Sequence, residues 1–271
     1  MSFRFHQLEL CLEHQHNFLS FYTAEKNRLS LPDKMRGCGF IETLNLIGNE
    51  DTILEDISLI EELPNIENLS FQNITTVKNF ESVSKLPNLK KLSVNNSYFD
   101  LDLIEKLPLL DELHLENYSD PLIIIDCKKI ATQTNLSHLS LQCADYKNEA
   151  FLSKLKNLTS LGLRCNVPPA NGKTLDFLKQ FPKLEDLEII VLLYSGYSDV
   201  SALQYLPTLK NLTIKKYDAE HELKFQDHDW LTIDFINGIK SLEKLTLEEC
   251  YLSDEKDIRS RLKTVEYIEV E

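Results

Sequence analysis

Leu63-Pro64-Asn65-Ile66-Glu67-Asn68-Leu69-Ser70-Phe71 returns as Leu86-Pro87-Asn88-Leu89-Lys90-Lys91-Leu92-Ser93-Val94. It returns again as Leu107-Pro108-Leu109-Leu110-Asp111-Glu112-Leu113-His114-Leu115 and as Leu206-Pro207-Thr208-Leu209-Lys210-Asn211-Leu212-Thr213-Ile214. The shared core is LxxLxL. Its last two apolar positions alternate with polar ones, the period of a strand with one buried face. Anchoring on the first apolar residue gives Ile41, Ile66, Leu89, Leu110, Leu136, Leu158, Leu184, Leu209, Leu242 and Val265, at successive intervals of 25, 23, 21, 26, 22, 26, 25, 33 and 23. One such unit cannot cover its own apolar side; the next unit in the stack covers it.

Between the strands runs a second apolar pattern, as in Phe151-Leu152-Ser153-Lys154-Leu155, Leu175 to Phe181 and Ile233 to Ile239. Its three- and four-residue spacing suits a short helix behind each strand. From about Ile41 onward the chain resembles the leucine-rich-repeat family. The resemblance implies an α/β horseshoe, a solenoid with a parallel β-sheet on its concave face and short helices on its convex face. That family places Asn or Cys three residues after the last apolar position of LxxLxL. Asn49, Asn166 and Cys250 match this, whereas Ile74, Ser97, Tyr118, Ala144, Leu192 and Tyr217 do not, which predicts an irregular solenoid.

The expected organisation is an N-terminal cap over residues 1–38 and a solenoid of about ten repeats over 39–271. Within the cap, Phe5-His6-Gln7-Leu8-Glu9-Leu10 is read as one degenerate strand. The last strand, Val265 to Glu271, carries Glu266, Glu269 and Glu271, charge placed to discourage edge pairing.

Of the 271 residues, 42% are hydrophobic, enough for a substantial core, and 29 basic against 43 acidic side chains give a net charge of −14. That balance argues against nucleic acid as the main partner. The N-terminus lacks a basic segment followed by an apolar run, and no window is long and apolar enough to span a membrane. A cytoplasmic, membrane-free protein is expected. Six scattered cysteines form no CxxC pair, and no Gly-rich phosphate motif occurs. No metal, cofactor or catalytic set is therefore expected. Cys143 and Cys165 occupy equivalent positions in neighbouring units but should stay thiols in a reducing cytosol.

The residues beside the last two apolar positions of each LxxLxL face a partner. Seven are acidic and four basic, with no continuous basic stripe. The central units collect Glu112, His114, Glu116, His138 and Arg164, and the next strand adds Asp186, Glu188 and Ile190. A His beside carboxylates suits acid–base chemistry, but with no nucleophile or enclosed pocket nearby a polar protein-binding patch is the better reading. Seven of the ten tyrosines (Tyr98, Tyr118, Tyr146, Tyr194, Tyr197, Tyr217 and Tyr251) follow strands and point to an aromatic rim. Tyr194 and Tyr197 extend the apolar run from Ile189, and the long interval between Leu209 and Leu242 marks an insertion carrying the sole Trp, Trp230. In the cap, which also holds His6, the His14-Gln15-His16 pair could bind metal but has no carboxylate or thiolate in a ligand pattern, and the insertion histidines His221 and His228 are unspecific in spacing, so a solvated face and a partner-contact loop are the better readings.

The expectation is a non-enzymatic protein-binding module, a monomer when free. It holds another protein on its concave face and tyrosine-bearing rim. By resemblance, such solenoids inhibit enzymes by masking an active surface, as the ribonuclease inhibitor does. Irregular stand-alone examples resemble host-directed effectors of intracellular bacteria, delivered into the host cytosol, whose partner would be an enzyme or a second effector. The alternative is an adaptor that recruits substrates to a ubiquitin ligase through residues 1–38.

Overall fold

In the computed structural model every described LxxLxL segment is a strand lying parallel to the strand one repeat away. The described residues are 17–22, 28–117, 124–143, 145–166, 175–192, 201–217, 234–248, 260, 262 and 265–270. The chain divides into two units, Met1–Asp120 and Pro121–Glu271.

In the first unit the strands are β1 (Phe18–Tyr22), β2 (Arg28–Leu29), β3 (Thr43–Leu54), β4 (Asn68–Val77), β5 (Lys91–Asn95) and β6 (Glu112–Asn117). The register runs Leu19, Leu44, Leu69, Leu92, Leu113, which reproduces the intervals between the sequence anchors Ile41, Ile66, Leu89 and Leu110 and adds one repeat before them. A second buried row, Phe21, Leu46, Phe71, Val94 and Leu115, lies two residues on, and both rows are at most 3% exposed. The far ends of β3 and β4 continue into a second ladder with β2, pairing Leu29 with Leu54 and Leu54 with Val77.

The second unit holds β7 (Ile124–Asp126), β8 (His138–Cys143), β9 (Asp145–Lys147), β10 (Ser160–Asn166), β11 (Asp186–Leu192), β12 (Asn211–Tyr217), β13 (Lys244–Glu248) and β14 (Tyr267–Val270). Leu139, Leu161, Leu187, Leu212, Leu245 and Ile268 stand in register, each three positions after the anchor of its own repeat. The insertion between Leu209 and Leu242 thus enters between strands without disturbing their register. β7 and β9 form a separate parallel pair.

The expected short helices are mostly 3₁₀ turns of five or six residues, such as Ser58–Glu62, Phe80–Lys85 and Leu175–Gln180, with an α-turn at Cys127–Ile130. A coil this short must leave the strand, turn twice and return, and the tighter 3₁₀ geometry fits within it. These turns start on a repeated device. Asp56, Asp100 and Asp126 accept the backbone N–H two residues on, at 2.8, 3.0 and 3.1 Å. Asn79 and Asn148, one repeat after Asp56 and Asp126, adopt left-handed φ of 57° and 61° and donate to those carboxylates at 2.8 and 2.9 Å. Asn tolerates this backbone better than other non-glycine residues. Asn79→Ala is therefore expected to cost about 2 kcal/mol, combining left-handed strain with a lost hydrogen bond, and Asn79→Gly about half of that. Denaturant midpoints of the two variants check the difference.

Those hydrogen bonds, led by the one from Asn79, hold the Asp56 carboxyl below its ordinary range; Asn148 chiefly does the same for Asp126. A carboxyl with a lowered folded pKa stabilises the fold above its unfolded pKa of about 4, and that contribution disappears as pH falls through the lower folded value. Stability should hold down to about pH 5 and decline below about pH 4, and Asp56→Asn should flatten part of that decline in pH-dependent urea melts.

The recurring Asn of Leu-Pro-Asn also has a structural role. Asn65 donates to the Gly39 carbonyl at 2.7 Å and Asn88 to the Pro64 carbonyl at 3.0 Å, and Asn157 donates to the Thr134 carbonyl at 3.2 Å. Each bond ties a turn to the preceding coil and satisfies a carbonyl that no strand partner reaches. At the position where the family expects Asn, the Asn49 side-chain oxygen accepts from the Thr52 hydroxyl at 2.6 Å and the Asn49 N–H donates to that hydroxyl at 2.9 Å. Ile74 is fully buried there. Ser97 takes over the polar role, accepting from the Ile74 N–H at 2.9 Å and donating to the Asn95 carbonyl at 2.8 Å.

The Phe5–Leu10 strand expected in the cap lies outside the described residues; the described part of residues 1–38 contributes β1 and β2. Cys38 and Cys127 are buried thiols, and the side chains of Cys143 and Cys165 are outside the described set. Among the described residues no helix is long and apolar enough to cross a membrane.

Candidate functional site

With one side of each strand buried, the opposite side presents the intervening residues in rows. In the first unit one row runs Phe18, Thr43, Asn68, Lys91, Glu112 and another Tyr22, Ile47, Gln72, Asn95, Glu116. Neighbours within these rows hydrogen-bond across strands. Asn68 donates to Thr43 at 3.0 Å, Lys91 pairs with Glu112 at 2.7 Å, and Asn95 donates to Glu116 at 3.0 Å. His114 Nε2 lies 3.6 Å from the same Glu112 carboxylate. Glu112, His114 and Glu116 are half-buried on β6, so the open face brings these three expected residues together.

At the other end of this face, β1 exposes two aromatics, Phe18 at 53% and Tyr22 at 46%. The LxxLxL pattern does not predict them. The position equivalent to Ile41 one repeat earlier is His16, so this repeat begins on a polar residue and fails the pattern. The signal is the alternation within Phe18-Leu19-Ser20-Phe21-Tyr22.

In the second unit, His138 on β8, Arg164 on β10, and Asp186 and Glu188 on β11 are half-buried on the open side of their strands. The Ser137 hydroxyl hydrogen-bonds His138 Nδ1 at 2.7 Å. Asn211 donates to Asp186 at 2.5 Å. Lys215 bridges two strands, 3.1 Å from Glu188 and 3.0 Å from Glu248, and Lys244 lies 3.0 Å from Glu269. Burial works against the Lys215 charge, but its hydrogen bonds to Glu248 and Glu188 outweigh it and raise the Lys215 pKa. A raised lysine pKa stabilises the fold below the unfolded value of about 10.4, a contribution lost as pH rises through the folded one. Lys215→Met would leave Glu188 and Glu248 without their shared cation, and the expected result is a lower thermal midpoint at pH 7 that narrows towards pH 4 as the carboxylates protonate.

Ile190 is a correction. Expected as an exposed anchor, it is only 8% accessible, standing in register between Arg164 and Lys215. The tyrosine rim is also uneven. Tyr98 is 44% exposed, stacked edge-on against Phe80 at 5.5 Å, whereas Tyr146 is buried in β9. Tyr194, Tyr197 and Trp230 lie outside the described residues.

Among solved structures, an internalin from Listeria monocytogenes superposes with a TM-score of 0.61 at 15% identity, covering 98% of this chain and 74% of that one. The fold is that of the leucine-rich-repeat solenoids. Two further solenoids match less closely. Internalin C2 of Listeria monocytogenes gives a TM-score of 0.45 at 17% identity, covering 88% of this chain and 83% of its own. A leucine-rich-repeat protein of Leptospira interrogans gives 0.49 at 19% identity, covering 89% of this chain and 63% of its own. No protein-family model matches the chain, and no curated protein matches it by sequence. At 15% identity the likeness concerns the solenoid fold.

Proposed function

We propose that this solenoid is a protein-binding module that holds a partner protein against the open side of its strands. In the first unit the partner engages Glu112, His114 and Glu116 together with Phe18 and Tyr22. In the second it engages His138, Arg164, Asp186 and Glu188. The observation that carries this reading is the arrangement of the first unit's open face. Half-exposed polar groups there are already held by cross-strand hydrogen bonds, and two exposed aromatics stand at one end. Side chains fixed in this way lose little conformational entropy on binding, and aromatics supply contact area at low cost. Masking of an enzyme's active surface is the action we assign to it, in the cytosol, with the free protein a monomer. The test is the affinity for the partner once captured. Changing Phe18, Tyr22 and His114 together to Ala should raise Kd at least tenfold while the circular-dichroism spectrum stays unchanged; an unchanged Kd would place the contact elsewhere.

A further inference from the structure

The chain carries −14 overall, yet residues 124–183 hold nine basic against four acidic side chains, a local charge of +5. Apart from Arg164, all the basic residues of this segment are lysines, and most of those described lie on or beside the turns that follow the strands of the second unit. Their partners set them apart. Most described lysines elsewhere, Lys78, Lys85, Lys90, Lys91, Lys210, Lys215 and Lys244 among them, pair with a carboxylate. Lys128 and Lys154 instead approach the ring of Phe151, at 5.8 and 5.1 Å from its centroid. Lys156 donates to the Gln180 carbonyl at 3.1 Å and Lys183 to the Asn157 side-chain oxygen at 2.8 Å. Among the described residues, these four ammonium groups are positioned by a ring and by neutral oxygens, with no carboxylate ion-paired to them. Lys179 and Lys147, beside them, do pair, with Asp176 and Asp126.

A cation held by neutral partners keeps its full charge for an outside anion, and holding it in place removes part of the entropy cost of meeting that anion. We infer that the turn side of the second unit, through Lys128, Lys154, Lys156 and Lys183, docks an acidic protein segment rich in Asp and Glu. The site is separate from the open face and does not rest on the reading proposed above. The positions favour a peptide. The lysines come from the turns of successive coils, whose strands lie about 4.8 Å apart, and an extended chain advances about 3.3 Å per residue, so closely spaced carboxylates can meet them in turn. Nucleic acid is disfavoured because single-strand sites add aromatic faces on which bases stack, and the one ring among these lysines, Phe151, is already approached by Lys128 and Lys154. An anionic membrane is disfavoured because four lysines are the least that such clusters use.

The test uses the full chain and fluorescein-labelled deca-glutamate in low-salt buffer. The expected result is saturable binding, weakened at least tenfold when all four lysines are changed to Gln and unaffected by His114→Ala. Acetylation footprinting of the unaltered protein adds a second readout, in which the peptide should slow modification of Lys128, Lys154, Lys156 and Lys183 relative to Lys106. Equal binding by both proteins, or no change in the footprint, would overturn the inference. So would preferential binding of single-stranded oligothymidine, or of vesicles containing phosphatidylserine, over the peptide.

Discussion

Phe71→Ala is expected to lower stability by about 3–5 kcal/mol, the usual cost of emptying an aromatic site in a packed interior. Phe71 is fully buried on β4, where it stands in register between Leu46 on β3 and Val94 on β5, and its ring meets Phe80 at 5.5 Å. The Phe80 ring in turn contacts Tyr98 at 5.5 Å and Phe99 at 5.9 Å. Truncation therefore removes the link between the strand layer and an aromatic cluster reaching the surface. Phe71→Leu keeps much of the volume and should cost less than half as much. Chemical denaturation followed by far-ultraviolet circular dichroism measures both; a loss below about 1 kcal/mol for Phe71→Ala would mean that the first unit's core is not packed as described.

Gly48→Ala should be the most damaging single-methyl change, at about 2–3 kcal/mol. A Cβ at Gly48 would lie 2.2 Å from the Asn73 carbonyl oxygen and 2.6 Å from Thr52 Cβ. Here β3 departs from its register with β4 between Ile47 and Thr52, and the fully buried Thr52 hydroxyl accepts from the Asn49 N–H at 2.9 Å. Asn73 has its own left-handed φ of 53°, so the backbone that would have to retreat is already constrained. Gly39 is the control: nothing lies within 4 Å of the position its Cβ would take, and Gly39→Ala should be close to neutral. Thermal midpoints separate the two, and equal midpoints would contradict the close approach at Gly48.

The fold is legible in the sequence because burial in this architecture is written at fixed offsets. Anchors such as Ile66, Leu89 and Leu158 are at most 1% exposed, and their spacing sets the strand register even across the long insertion before β13. What stays hidden depends on contacts between coils. Nothing in Ser97 taken alone says that it will satisfy the N–H of Ile74 in the preceding repeat. The open face is legible as a set of positions but not as an accessible surface. Ile190 shares an alternation phase with Glu188, yet is buried, whereas Phe18 and Tyr22 belong to a repeat whose anchor is a histidine and so fall outside the pattern. The lysines of the second unit's turns are hidden for a related reason: strand alternation marks charge on the open face, where the rows are mixed in sign, and gives no row to read behind it.

Whether a partner meets the open side of the strands can be measured by placing a photo-crosslinking amino acid at one position at a time in the full chain. Phe18, His114 and Glu188 report on the open face, and Lys85 and Lys106 on the turn side of the first unit. Covalent capture of the same partner from the first three positions and not from the last two is the predicted result. Capture from Lys85 and Lys106, with none from Phe18, His114 or Glu188, would contradict the assignment of the strand face as the binding surface.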